Sequence, residues 1–352
     1  MSKPIRVAIN GFGRIGKMTL RAFLERDEPG IEVVAINELT PIEQAAQLFR
    51  LDSVHGRLQR EVTVIHPMIG WDELQVREKS FFYLSEPNPT KLPWKELDID
   101  IVLECTGRFT DGVSVSAHLM AGAQHVIVSA PAKDVPMIVY GVNDATYSGD
   151  HGSVAMTSNA SCTTNCVAPI ARAIHAAFGI AHGNLLTVHA ATAGQNVVDG
   201  VPPGRKGGDL RLARATLGSM IPTNTGAAKA VGEVLPELRG KFDGVSVRVP
   251  TLAGSYCHCT FEVERVTTVG YVIEALHAAM EDPTYHDVLC VRDEPFVSQD
   301  IVHDSHSAIV DAEFVRVVDG TQVIVGAWYD NEWGYSNRMV DLAAHVVGPT
   351  LR

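Results

Sequence analysis

Residues 5–38 leave this chain little freedom. Ile5, Val7 and Ile9 form a short apolar strand that runs into Gly11-Phe12-Gly13-Arg14-Ile15-Gly16. Behind the glycines, Ile15, Met18, Leu20, Phe23 and Leu24 recur at helical spacing, and Val33-Val34-Ala35-Ile36 then makes a strand apolar on both faces. Strand, glycine turn, helix and strand together predict a βαβ unit with parallel strands. Gly11 permits the tight turn, Gly13 lets a pyrophosphate approach the backbone, and Gly16 allows close packing of helix on strand. The free N–H groups and positive end of the helix attract phosphates. Glu38, at the end of the second strand, can accept hydrogen bonds from both ribose hydroxyls of an adenosine. A 2′-phosphate there would meet a like charge, with no arginine in Asn37-Glu38-Leu39-Thr40 to offset it. The segment reads as a dinucleotide fingerprint that prefers NAD to NADP.

The same grammar continues. Buried strands are expected at 101–104 and 126–129 with a helical segment, 115–123, between them, so a doubly wound parallel sheet of the Rossmann type is predicted. The stretch 71–93 is polar and turn-rich and is expected to be a surface excursion from that sheet. Past residue 160 the pattern changes to longer alternating strands at 184–191, 243–249 and 256–263, with helices at 162–178, 226–237 and 271–281. The fold class is therefore α/β, a Rossmann sheet joined to an α+β domain whose sheet is mostly antiparallel. A last helix, 331–347, carries Met339, Val340, Leu342, Ala343 and Val346 on an apolar face. A length of 352 residues suits two such domains.

The 29 Lys and Arg against 41 Asp and Glu leave a charge of −12, which disfavours nucleic acid and acidic membrane surfaces as partners. The N-terminus has no apolar leader and no stretch is long and uncharged enough to span a bilayer, so a soluble cytoplasmic protein is expected. The six cysteines follow no secreted framework and are expected as thiols.

One of them stands out. In Ser158-Asn159-Ala160-Ser161-Cys162-Thr163-Thr164-Asn165-Cys166, the helical steps of Val167, Ile170, Ile174 and Phe178 put Cys162 at a helix N-terminus, where dipole and unpaired N–H groups favour a thiolate. Pro169 is expected to kink this helix. Cys166 lies one turn deeper and is expected to be buried, and no second ligand pair of matching spacing supports a metal site. In Cys257-His258-Cys259, alternation turns both thiols to one side, which predicts core packing. His189 ends the strand Leu185-Leu186-Thr187-Val188-His189 on the face opposite Leu186 and Val188, and can pair as a base with a helix-start thiolate. Arg248 projects opposite its neighbouring valines, Thr225-Gly226 opens another helix, and Arg211 and Arg214 add charge between them. On so acidic a chain these donors point to an anionic small molecule.

These segments, together with 105–109, 129–134, 187–190, 225–230, 248–251 and 328–338, resemble the phosphorylating glyceraldehyde-3-phosphate dehydrogenases and the related erythrose-4-phosphate dehydrogenases nearly end to end. The resemblance implies that Cys162 attacks an aldehyde while His189 ion-pairs with the thiolate and serves as acid and base. Hydride passes to NAD, and inorganic phosphate cleaves the resulting thioester. By the same match, Thr192 and Arg248 hold the substrate phosphate, and Ser161, Thr163, Thr225 and Gly226 the attacking phosphate, with Arg211 or Arg214 assisting. Asn10, Phe12, Arg14, Ile15, Thr106, Gly107 and Ser129 join the glycines and Glu38 around the cofactor. Asn331 orients the nicotinamide amide, with Tyr335 beside it. A homotetramer is implied, with an NAD-binding domain over 1–161 completed by the tail 331–352, and a catalytic domain over 162–330. Three segments depart from the family pattern: a longer loop at 199–209, Leu212 where some relatives carry arginine, and Leu252-Ala253-Gly254-Ser255. Glyceraldehyde 3-phosphate is the expected substrate and 1,3-bisphosphoglycerate the expected product. The alternatives are erythrose 4-phosphate, oxidised to 4-phosphoerythronate, and a non-catalytic NAD-binding redox sensor. One extra hydroxymethylene is worth only a few kcal/mol of discrimination.

Overall fold

The computed structural model describes residues 3–147, 155–201 and 209–346. The chain forms two compact units, one of Met1–Ile138, Asp144–Ala160 and Ser336–Arg352, the other of Val139–Asn143 and Ser161–Tyr335.

In the first unit the elements run β1 (Ile5–Asn10), α1 (Arg14–Arg26), β2 (Ile31–Asn37), α2 (Ile42–Arg50), β3 (Val62–Ile65), β4 (Asp72–Val76), β5 (Lys79–Leu84), β6 (Ile101–Glu104), α3 (Gly112–Met120), β7 (His125–Val128) and β8 (Met156–Ser158). They build one eight-stranded sheet in the order β3-β4-β5-β2-β1-β6-β7-β8. From β5 to β8 every pairing is parallel. Counting these six strands in chain order gives the doubly wound sequence 3-2-1-4-5-6, whose direction reverses between β1 and β6. Val7, Ala8 and Ile9 of β1 and Ile101, Val102 and Leu103 of β6 have no exposed surface, which is why these three-residue stretches read as unbroken apolar runs.

The stretch 71–93 is not an excursion from the sheet. It carries β4 and β5, and β5 pairs parallel with β2. Leu74, Val76, Phe81 and Tyr83 are buried, and polar residues alternate with them because β3 and β4 make the edge of the sheet. The hairpin turns at Arg77-Glu78, with Arg77 at φ 53°, in a place where asparagine or glycine would have announced it.

The second unit runs α4 (Cys162–Phe178), β9 (Ile180–His189), β10 (Ile221–Asn224), α5 (Ala227–Val234), β11 (Phe242–Arg248), β12 (Ser255–Val263), α6 (Val269–Glu281), β13 (Leu289–Arg292), β14 (Ala308–Asp311), β15 (Arg316–Val318) and β16 (Gln322–Tyr329). Its sheet has the order β10-β11-β9-β12-β16-β14-β13, with β15 on β16. Among the described strands of this sheet, only β11–β9 and β13–β14 are parallel. One face of the sheet carries buried Thr187, His189, Cys257, Cys259, Val325 and Tyr329. Helix α4 is continuous through Pro169.

The last helix, α7 (Trp333–Val346), belongs to the first unit from Ser336 onward, where Met339, Val340, Leu342, Ala343 and Val346 are buried. Arg26 of α1 ties it down through Asp341, which also pairs with Arg338. Residues 347–352 lie outside the described residues.

The glycine turn tests this packing. A methyl on Gly16 would overlap the Gly11 carbonyl oxygen, whereas one on Gly13 has nothing within 4 Å. Gly16→Ala should therefore cost about 1–3 kcal/mol in urea unfolding by pushing α1 off β1. Gly13→Ala should stay within about 0.5 kcal/mol of the parent.

Candidate active site

At the reversal point of the parallel sheet a cavity of about 420 Å³ opens, lined by Asn10, Gly11, Gly13, Asn37, Glu38, Thr106 and Phe109 among others. Gly11 holds φ 92° with Thr106 N 2.7 Å from where a side chain would begin, so only glycine fits. No side chain caps α1 and no acid stands in its first turn, leaving the positive helix end open to an anion. These features fit the pyrophosphate and adenosine of a dinucleotide.

Around this cavity the other cofactor candidates are partly committed to the protein. Glu38 accepts from Phe12 N (2.8 Å) on Oε2, and from Leu39 N (2.8 Å), Thr40 N (3.1 Å) and Thr40 Oγ1 (3.1 Å) on Oε1. With Oε1 saturated, Oε2 is the oxygen with a free lone pair, so Glu38 has less capacity for two ribose hydroxyls than its charge suggests. Phe12 is buried against Phe49, with ring centroids 5.3 Å apart. The Arg14 guanidinium is paired with Asp52, which also accepts from Val54 N and His55 N at 2.9 Å. Burial pushes the Asp52 carboxyl up, but Arg14 and these N–H groups outweigh it and bring it to about 2. Ile15 is half-buried, Gly107 holds φ 66°, and Ser129 N donates to Glu104 O at 2.9 Å. Asn331 and Tyr335 fall in the second unit, where Asn331 Oδ1 accepts from Ser255 Oγ at 3.0 Å.

In the second unit the sequence places Cys162 by capping. Ser161 has extended φ and ψ of −118° and 164°, and its hydroxyl accepts from Thr164 N at 3.1 Å, so α4 begins at Cys162. The residue before the cap, Ala160, is buried with φ 54°, in the left-handed region that costs a non-glycine residue about 1–3 kcal/mol. Cys162 Sγ lies 3.5 Å from His189 Nε2. The parallel register of β11 and β9 sets Arg248 directly beside His189.

The other ring nitrogen has two neighbours with opposite requirements. Ala190 O lies 2.7 Å from His189 Nδ1, and Arg248 Nη1 lies 2.5 Å from the same atom. A carbonyl only accepts, so it needs Nδ1 protonated, which leaves the Nε2 lone pair facing the sulfur. A guanidinium only donates, so it needs Nδ1 bare and the proton on Nε2. The two arrangements exclude each other.

Burial, helped by Arg248, lowers the His189 pKa to about 3. Burial also pushes the Cys162 thiol up, opposed by Arg248 and by hydrogen bonds from Thr163. Burial therefore opposes the charged form of both groups, while Arg248 favours the thiolate and opposes the imidazolium.

The candidate anion groups divide. Arg248 has no carboxylate partner among the described residues, and its buried Nε has no hydrogen-bond partner. Thr163 Oγ1 bonds Tyr329 OH at 2.9 Å, and Ser161 Oγ bonds Thr164 Oγ1 at 2.7 Å. Thr225 Oγ1 accepts from Ala227 N at 3.2 Å, and Gly226 precedes α5 with open space around it. Thr192 is exposed and its N–H donates to Gln195 Oε1 at 3.1 Å. Arg211 and Arg214 are not brought into the Cys162 cluster: Asp209 takes the first and Asp199 the second. Of the longer 199–209 loop, residues 202–208 lie outside the described residues.

Two residues escaped the sequence reading. Tyr329 OH bonds both Thr163 Oγ1 and, at 2.8 Å, Thr187 Oγ1, and its ring stands edge-on to His189 with centroids 5.9 Å apart. It locks the helix carrying Cys162 to the strand carrying His189, and alternation along β16 could have placed it on this face. Ser255 Oγ accepts from Ala190 N at 3.0 Å, fixing the carbonyl that faces His189. No signal in the sequence marks it.

Among the described residues, no helix is long and apolar enough to cross a membrane. Two family profiles match the chain: the NAD binding domain of glyceraldehyde 3-phosphate dehydrogenase over residues 5–112, and its C-terminal domain over 161–331. The chain is 46% identical over 344 residues to the glyceraldehyde-3-phosphate dehydrogenase of Zymomonas mobilis, covering 97% of this chain and 98% of that protein. It is 48% identical over 340 residues to that of Cereibacter sphaeroides, covering 96% and 97%. The enzyme of Geobacillus stearothermophilus is 47% identical over 348 residues, 99% of each chain.

The depressed pKa of His189 makes a stability prediction. Between about pH 3 and the ordinary value of 6.5, the unfolded chain binds a proton that the folded imidazole refuses, so stability falls as pH drops through this window. His189→Asn should flatten that slope, read as the change in urea-unfolding free energy between pH 7 and pH 5. An unchanged slope would contradict the buried neutral imidazole.

Proposed function

The chain belongs to the glyceraldehyde-3-phosphate dehydrogenase family, and from that premise we propose that it oxidises glyceraldehyde 3-phosphate with inorganic phosphate to 1,3-bisphosphoglycerate, reducing NAD⁺. The observation that carries the reading is the Cys162–His189 contact at a helix start, with Arg248, which has no acid partner among the described residues, beside it. NAD is the cofactor, and Gly11, Gly13, Glu38, Asn10 and Thr106 would hold it.

The reaction starts when the substrate phosphate draws the Arg248 guanidinium to itself. His189 Nδ1 then keeps its proton on the Ala190 carbonyl, and Nε2 is left with a lone pair for the Cys162 thiol proton. As that proton leaves, Sγ bonds to the aldehyde carbon, and His189 returns a proton to the former carbonyl oxygen. The hemithioacetal so formed is the species to be oxidised. When bound, NAD⁺ supplies the two-electron acceptor that converts it to a thioester. His189 takes the hydroxyl proton as the carbonyl re-forms. A phosphate oxygen then attacks the thioester carbon, the C–S bond breaks, its electron pair returns to sulfur, and the acyl phosphate departs. Ser161, Thr163, Thr225 and Gly226 are the proposed cradle for that phosphate, and the helix starts of α4 and α5 favour its charge.

We further propose a cytoplasmic homotetramer. Val197, Val198, Leu217 and Met220 are exposed apolar side chains on one connection of the second unit and supply contact surface for another copy.

The test is NADH formation with glyceraldehyde 3-phosphate and with erythrose 4-phosphate, each with and without phosphate. The triose phosphate should have the larger kcat/KM and should require phosphate for turnover. Cys162→Ala should abolish turnover, and His189→Asn should lower kcat by about 10²–10⁴. A dominant, phosphate-independent rate with erythrose 4-phosphate would overturn the substrate assignment.

A further inference from the structure

Beneath the dinucleotide cavity lies a carboxylate that the reaction does not use. Glu104, the last residue of β6, is 1% exposed, and His118 and Trp94 beside it have no exposed surface. Four donors converge on it. Thr106 gives its N–H (2.8 Å) and its hydroxyl to Oε1, while Asn10 Nδ2 (2.5 Å) and His118 Nε2 (3.0 Å) approach Oε2.

The protonation state of this cluster follows from its outermost bond. Trp94 Nε1 can only donate, and it points at His118 Nδ1 at 3.0 Å, so Nδ1 is bare and the imidazole is neutral with its proton on Nε2. Glu104 therefore receives four hydrogen bonds and no cation. A protonated acid could not accept them all without turning its own hydrogen against a donor, so the group is an ionised carboxylate.

An ionised carboxylate only accepts, and this dictates the orientation of its neighbours in turn. Asn10 must turn its NH₂ toward Glu104, which leaves its Oδ1 to accept from Asn37 Nδ2 at 2.7 Å. Asn37 thereby presents Oδ1 to Glu86 N (2.9 Å), and its Nδ2 also reaches Glu86 O (3.0 Å). Thr106, having committed its hydrogen to Glu104, offers only lone pairs, and Arg108 N takes one of them at 3.1 Å. Asn10, Asn37, Glu86 and Thr106 all line the cavity.

We propose that Glu104 is a positioning residue of the cofactor site, its charge fixing which polar atoms Asn10, Asn37 and Thr106 turn toward a bound dinucleotide. The proposal rests on NAD being the occupant of that cavity. A glutamine at this position would bring an NH₂ into a ring of donors and release the order of the whole wall.

The test is an NAD⁺ titration of the full-length protein and of Glu104→Gln, followed by steady-state kinetics. The variant should raise Kd and KM for NAD⁺ at least tenfold. KM for the aldehyde, and kcat per Cys162 counted by alkylation, should stay within twofold. A role confined to stability would lower the number of active sites and leave KM for NAD⁺ unchanged, and that result would overturn the proposal. If Glu104→Gln does not fold, His118→Phe decides, because it removes one of the four donors without touching the cavity lining; it should weaken NAD⁺ at least threefold, and binding equal to the parent would sink the idea. A parent protein that binds no NAD⁺ would instead refute the cofactor reading itself.

Discussion

The chemistry of this molecule depends on one weak contact, a sulfur facing an imidazole nitrogen at 3.5 Å. Neither side chain makes it alone. Ala160 bends the chain into the left-handed region, Ser161 caps the helix that follows, and Cys162 falls on its first turn. His189 stands at the end of β9, on the face it shares with Thr187, and the Tyr329 hydroxyl holds Thr187 and Thr163 together. The strain at Ala160 persists because the residue is fully buried and its N–H is held by Ser158 Oγ at 3.1 Å.

Both units handle negative charge in the same way. Each has helix starts without an acid of their own: no acid stands in the first turn of α1, α4 or α5. Several acidic residues are engaged by cations, Asp52 by Arg14, Asp341 by Arg26 and Arg338, and Asp209 and Asp199 by the two loop arginines. Among the described residues Arg248 is left without an acid, beside His189. A chain of net charge −12 can thus concentrate positive potential at a few atoms.

Much of this was legible in the residues. Unbroken apolar runs such as 101–103 identify central parallel strands, because burial on both faces removes any alternation. The glycine spacing identified the cavity because Gly11 and Gly16 answer to steric limits that no other residue meets. The edge hairpin of β4 and β5 was hidden, since half-exposed strands mix polar and apolar residues and Arg77-Glu78 is not turn-forming chemistry. The Cys162 and His189 pairing was readable from their positions at element ends, but their ionisation was not. That depends on how completely the site is packed, and on Arg248, which approaches through strand register. The Glu104 cluster was equally silent, because its members come from separate elements and meet only through sheet order.

Glu38 shows how closely recognition and architecture can be fused. Its carboxylate, which faces the cavity, also ties Phe12 of the glycine turn to the segment at Leu39 and Thr40. Coenzyme preference in this scaffold is consequently not a property of one exchangeable side chain. A redesign toward a phosphorylated ribose that simply removed this acid would unfasten the turn it was meant to preserve, and would have to supply new anchors for three backbone amides before any gain in selectivity could be realised.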